Sequence, residues 1–127
     1  MESRLTIRPR FSETDALGHI NNTVAALWFE EGRLHLCFEE AKITQKTVLA
    51  KLEINYIREV HFGEDIEVVT SVTRLGNSSI TYEQKISQGN EICLDAQAVA
   101  VTYDSEQRTS MPISEDSRNK LHAFLRP

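Results

Sequence analysis

The sequence predicts an α+β fold in which one long helix lies against a twisted antiparallel sheet. Three observations carry this expectation. Residues 23–41 contain no proline and one glycine, and their apolar residues recur at helical spacing. Four later segments alternate apolar and polar residues with the period of a strand, separated by short turns that imply antiparallel pairing. The last segment carries Leu94, Ala96, Ala98 and Ala100 on one side, side chains small enough for a bulky helix to lie close.

In chain order, Leu5 and Ile7 alternate with Arg4, Thr6 and Arg8 as a strand ended by Pro9. A polar, irregular stretch from Phe11 to Asn22 follows. The helix expected over residues 23–41 has one face marked by Val24, Leu27, Trp28, Leu34, His35 and Phe38. Further apolar residues (Ala25, Ala26, Phe29, Leu36, Cys37) spread beyond it, so the helix should be largely buried. Gly32 costs roughly 1 kcal/mol against alanine there, a cost best explained by a second backbone packed against it. The period then changes to two: Val48, Ala50, Leu52, Ile54 and Tyr56 share one strand face. Ile66, Val68 and Val72 mark the next strand, and Gly76-Asn77 turns into Ile80, Tyr82 and Ile86. Gly89-Asn90 has hairpin-turn chemistry before the strand Ile92 to Tyr103. A short terminal helix bears Leu121, Phe124 and Leu125, with Ser114 as its N-cap.

With 127 residues, 40% hydrophobic and 26% charged, residues 1–127 are expected to form one globular domain rather than a disordered chain. The net charge of -5 argues against nucleic acid as a partner. There is no apolar run long enough to span a membrane, and the start MESRLTIRPRF lacks a signal-peptide core, so a cytoplasmic setting is expected. Cys37 and Cys93 read as two separate thiols, and the four histidines show no zinc spacing. No phosphate-cradling glycine loop occurs.

Residues 10–22, RFSETDALGHINN, carry the chemistry. They set Glu13, Asp15 and His19 in a loop directly before a helix start. Free N–H groups around Asn22 and Thr23 form a partial positive charge able to hold an oxyanion. A carboxylate seven residues upstream of Asn22 can fold back beside them, which suits attack on a carbonyl. The plainer alternative makes Asp15 a turn former and Asn21 or Asn22 a helix cap.

TDALGHINN followed by WFEEGR resembles the signature of hot-dog-fold acyl-CoA thioesterases of the 4-hydroxybenzoyl-CoA thioesterase type. FGEDIEV, RLGNSSITYE and YDSEQRTSMPIS extend the likeness over nearly the whole chain. The resemblance implies a hot-dog fold: a long central helix wrapped by a five-stranded antiparallel sheet, with a short C-terminal helix. It also implies hydrolysis of an acyl-CoA or acyl-carrier-protein thioester without a cofactor, in a homodimer or homotetramer with active sites at the subunit interface. By position, the catalytic aspartate falls on Asp15, as general base or as nucleophile. The oxyanion-binding amide falls on Asn22, and the Gly-His position on His19, which orients the thioester or shapes the loop. Arg58, Arg74 and Lys85, with Ser78 and Ser79, become candidate contacts for the pantetheine-nucleotide arm, and His61 a candidate cleft residue; taken alone, each of the arm contacts reads first as ordinary strand-face charge or a turn hydroxyl.

The chain departs from the family pattern in places. Ala25 stands where an aromatic is common, Val60 where a proline is common, and Asn77 where a basic residue often precedes the serines. Lacking that cation, an acidic protein must hold an anionic coenzyme through a few arginines or take another carrier. Glu30 lies near the position of the helix carboxylate used by another hot-dog branch, but Glu30 and Glu31 are expected to pair with Arg33 or face solvent. The competing functions are a non-catalytic acyl-CoA-binding hot-dog domain and a hot-dog dehydratase or hydratase that uses Asp15 with His19.

Overall fold

The computed structural model describes all of residues 1–127. Its strands are β1 (Ser3–Ile7), β2 (Thr47–Tyr56), β3 (Ile66–Leu75), β4 (Ser79–Gln88), β5 (Glu91–Asp104) and the short β6 (Thr109–Ser110). Its helices are α1 (Val24–Leu34) and α2 (Glu115–His122). The main strands pair in the order β1-β3-β4-β5-β2, every pair antiparallel, and β6 adds to β5. This is the hot-dog arrangement of a curled sheet around one helix.

One connection differs from the expected run of hairpins. β2 pairs with β5 and not with its successor β3, so residues 57–65 cross from one edge region of the sheet to the other. That crossing draws residues 57–61 past the N-terminal end of α1, and it creates the site described below. The true hairpins lie at β3–β4 and β4–β5, the second turning through Gly89 at φ +64°.

The expected helix is regular α only to Leu34. His35–Glu40 continues it with the wider π spacing, closing on a bond from Ala41 N–H to Leu36 O, before Lys42 turns away at φ +58°. The buried stripe is Ala25, Trp28, Phe29, Gly32, Arg33, Leu36 and Cys37. The face predicted from Leu27, Leu34 and Phe38 is instead open, with these side chains 45%, 43% and 40% exposed. Only one side of the helix meets the sheet, and a broad apolar distribution does not identify which.

Gly32 is required by close approach, although of side chains and not of a backbone. A Cβ there would stand 2.6 Å from Val68 Cγ1 and 3.0 Å from both Gln84 Nε2 and Thr70 Oγ1. These residues form a polar layer across the middle of the core. Gln84 Nε2 donates to Phe29 O (2.8 Å) and Thr70 Oγ1 (3.0 Å), and its Oε1 accepts from Arg33 Nη1 (3.0 Å). Two apolar clusters flank the layer. One is built around Trp28, Phe29, Val68, Ile86 and Leu94, the other around Leu36, Val72, Ile80, Tyr82 and Leu121.

The inner face of β5 is small and buried as expected, from Leu94 to Ala100. β2 contains a bulge at Ala50, so Leu49, Leu52, Ile54 and Tyr56 stand opposite Ala100, Ala98, Ala96 and Leu94 on the helix side of the sheet. The bulge removes Val48 and Ala50 from the face that uninterrupted alternation assigns them. In α2, Ser114 caps the first turn by accepting from Ser117 N–H at 3.1 Å. No helix is long and apolar enough to cross a membrane.

Candidate active site

The loop between β1 and α1 is built from its own backbone bonds. Asp15 N–H donates to His19 O (2.7 Å), Gly18 N–H donates to Asp15 O (3.2 Å), and Gly18 completes the turn at φ +82°. The Asp15 side chain joins this turn with one oxygen only: Oδ1 accepts from Leu17 N–H (2.8 Å) and His19 N–H (3.2 Å), while Oδ2 makes no hydrogen bond. The carboxylate is thus both a turn former and an oriented, solvent-facing group, so the two readings of this residue are compatible.

The C-terminal side of the loop is tied to the crossing segment. Ile20 N–H donates to Val60 O (3.0 Å), and Asn21 N–H donates to Glu13 O (2.8 Å). Asn21 serves as the cap: its Oδ1 accepts from Thr23 N–H and Thr23 Oγ1, each at 2.9 Å, and its carbonyl accepts from Val24 N–H. Thr23 N–H is therefore already used. Asn22 N–H donates to no group in the chain, whereas Asn22 O accepts from the Tyr56 hydroxyl at 2.8 Å. The peptide is held from β2 and its amide is left available.

Asp15, His19, Asn22 and Arg58 line one cleft of about 380 Å³, floored by Ala25, Trp28 and Leu94. His19 Nε2 lies 3.2 Å from Glu59 Oε2, an ion pair when the imidazole is protonated, and its ring meets His61 edge to face at 5.5 Å. His61 stands behind His19 and is not among the cleft-lining residues; its N–H donates to Gln88 Oε1 at 2.9 Å. Arg58 Nε is 3.7 Å from Glu91 Oε2, an exposed contact that leaves the guanidinium accessible.

Arg74, Ser78 and Ser79 lie at the β3–β4 turn and Lys85 on β4, all outside this cleft. Arg118 of α2 reaches the same turn, donating to Gly76 O at 2.7 Å, and so places a cation near Asn77 that linear spacing did not reveal. Tyr56 and Glu59 are likewise site residues that sequence reasoning passed over, because they arrive through the crossing segment. Glu30 and Glu31 are exposed, and neither pairs with the buried Arg33, whose side-chain hydrogen bond goes to Gln84.

Burial pushes the Tyr82 phenol well up and the Cys37 thiol up, and these two groups share a 2.9 Å hydrogen bond. Burial lowers Arg33 and raises Cys93.

The arrangement supplies an oriented carboxylate, an unengaged amide at a helix start, and an apolar floor between them. Known proteins match the chain over most of its length. The sequence profile of the thioesterase-like superfamily covers residues 9–121. The chain is 30% identical over 119 residues to the uncharacterized protein YsmA of Bacillus subtilis (strain 168), spanning 88% of this chain and 80% of that one. Among solved structures, a predicted thioesterase from Bacillus stearothermophilus superposes with a TM-score of 0.90 at 33% identity, covering 99% and 98% of the two chains. A thioesterase from Thermus thermophilus, complexed with coenzyme A and Zn, superposes with a TM-score of 0.87 at 27% identity, covering 98% and 95%.

Proposed function

The chain belongs to the thioesterase-like superfamily, and within it we propose that this protein hydrolyses an acyl thioester of coenzyme A or of an acyl-carrier protein to a carboxylic acid and a free thiol. The observation that carries the proposal is the pairing, in one cleft, of Asp15 Oδ2 and the Asn22 N–H, neither engaged by another group of the chain. A thioester carbonyl seated at the helix start directs its oxygen to the Asn22 amide, which holds the negative charge that develops on attack. Asp15 either takes a proton from the attacking water, after which the C–S bond breaks and the thiolate leaves, or attacks the carbonyl itself and expels the thiolate to form an anhydride that water then opens. His19, tethered to Glu59, lies beside the reacting centre and orients the thioester. The chemistry needs no cofactor.

Two copies join along β2. That strand pairs on one side only, its inward Leu49 and Tyr56 are 47% and 54% exposed, and Leu27 and Leu34 extend the apolar strip over α1. Pairing β2 with its own copy satisfies the free edge and covers the strip. The β3–β4 turn, with Arg74, Ser78, Ser79 and Arg118, then serves the pantetheine-nucleotide arm from a neighbouring subunit, while Arg58 serves it from the same subunit. The buried, unpaired thiols of Cys37 and Cys93 suit a reducing, cytoplasmic setting.

The test is release of free thiol from a panel of acyl-CoA and acyl-carrier thioesters, varied in chain length and aromaticity. Hydrolysis is expected with at least one carrier and collapses in Asp15→Asn. Undiminished turnover in that variant overturns the assignment of Asp15.

A further inference from the structure

A second cavity, of about 260 Å³, lies near the other end of β2, between the sheet and the later half of α1. Its lining includes Arg33, Cys37, Thr47, Leu49 and Tyr82, with Glu30 at its exposed side. Arg33 is only 7% exposed, yet no carboxylate of the chain lies within ion-pairing distance of it. Its Nη1 is committed to Gln84 Oε1, and Gln84 is itself anchored to Phe29 O and Thr70 Oγ1, so the guanidinium is held from that side. Nε and Nη2 have no acceptor in the chain and are not occluded. Those two donors form the edge of a guanidinium that binds a carboxylate through two parallel hydrogen bonds. A desolvated cation of this kind favours an anionic partner strongly, because a buried charge without one is costly.

The position of the cavity connects it to the cleft. Tyr56 of the cleft stands at the C-terminal end of β2, and Thr47 and Leu49 of the second cavity at its N-terminal end. Both spaces open on the helix side of the sheet. When two copies pair antiparallel along β2, the N-terminal end of one strand lies beside the C-terminal end of the other. Each cleft then faces the second cavity of the opposite subunit.

We propose that the two spaces form one acyl channel across the dimer, in which the partner subunit's Arg33 receives a terminal carboxylate of the acyl group whose thioester lies at Asp15 and Asn22. The preferred substrates are then monothioesters of dicarboxylic acids. This rests on the thioesterase reading and on the β2-paired dimer. Glu30, on the exposed side, opposes an anion at longer range, so the selectivity comes from the fixed two-donor edge of Arg33 and not from net charge.

The experiment compares coenzyme A thioesters of equal chain length ending in methyl, hydroxyl or carboxylate. The carboxylate-ended thioester is expected to show kcat/KM about ten-fold or more above the methyl-ended one, the scale of a charge-assisted hydrogen bond. Arg33→Met removes that preference while hydrolysis of the methyl-ended thioester persists. If the methionine variant does not fold, Arg33→Lys keeps a charge without the two-donor edge and weakens the preference. Equal rates for methyl and carboxylate ends, or a preference unchanged in a folded Arg33 variant, overturn the proposal.

Co-expressed heterodimers of Asp15→Asn with Arg33→Met test the crossing. The remaining Asp15 then faces an intact Arg33 on the other subunit, so the preference returns. No recovery on mixing overturns the arrangement across the dimer. Should no thioester be hydrolysed at all, the proposed function fails separately, and calorimetric titration with hexanoate and the uncharged hexanamide tests the cavity. Hexanoate binding that is lost in the Arg33 variant retains the carboxylate site, and equal or absent binding of the two compounds overturns it.

Discussion

At the start of α1, Asp15, Asn22 and His19 stand in solvent reach, and their hydrogen bonds come from within the loop or from Tyr56 and Glu59 across it. Halfway along the same helix, Gly32, Gln84 and Thr70 are sealed between two apolar clusters, and Arg33, which lines the second cavity, joins them through Gln84, with partners from three elements of the fold. The first region spends little stability on its polar groups and leaves reactive atoms unengaged. The second integrates its polar groups into the core, where each lost partner strands another. Substitutions at the helix start are therefore expected to alter turnover with little change in stability, and substitutions in the middle layer to do the reverse.

The largest effect is expected from Asp15→Asn. The amide oxygen still accepts from Leu17 and His19, so the loop survives, but turnover falls by about 10³-fold, as when a positioned base is lost. Its unfolding free energy from urea denaturation stays within about 0.5 kcal/mol of the parent. A large loss of stability in this variant would break the contrast. Gln84→Leu should invert the pattern: it strands Arg33, Phe29 O and Thr70 together and costs about 3 kcal/mol in the same denaturation. Gly32→Ala comes next, at about 1–2 kcal/mol, because overpacking against Val68 Cγ1 exceeds the helix propensity gained.

A smaller effect is set by pH. Cys37 and Tyr82 are held protonated by burial, so the native state retains protons that the unfolded chain loses first. Their contribution is complete below the ordinary thiol value of about 9 and declines as pH rises beyond it. Unfolding measured from pH 8 to 11 should show that decline, with a shallower slope in Tyr82→Phe; a flat profile would count against the buried pair. Smallest is Tyr56→Phe, which frees the Asn22 peptide: kcat/KM drops about five-fold while stability changes by less than about 1 kcal/mol.

How much of this was legible depends on the distance along the chain over which each feature is made. Asp15, His19 and Asn22 lie within one loop, and the turn that orients the carboxylate uses residues no more than four positions away. Their grouping could be read locally, as could the Ser114 cap and the Gly89 turn. Tyr56, Glu59 and Arg118 could not, because they reach the loop or turn they serve from 34, 40 and 42 positions away. Gly32 signalled a close approach, but only the packed sheet identified Val68, Thr70 and Gln84 as the approaching groups.

By itself the sequence determined the elements and their periodicities: a helix too apolar to stand in water, strands with one inward face, and a loop that joins a carboxylate to a helix start. These follow from local sterics and from the alternation of burial, which each segment encodes alone. Tertiary structure decided which helix face is buried, that β2 crosses to pair with β5, that a bulge at Ala50 shifts its inward face, and that Arg33 lies in the core without a carboxylate. Those outcomes depend on contacts between distant segments, where packing and the demand to satisfy buried polar groups choose among arrangements that every local pattern allows.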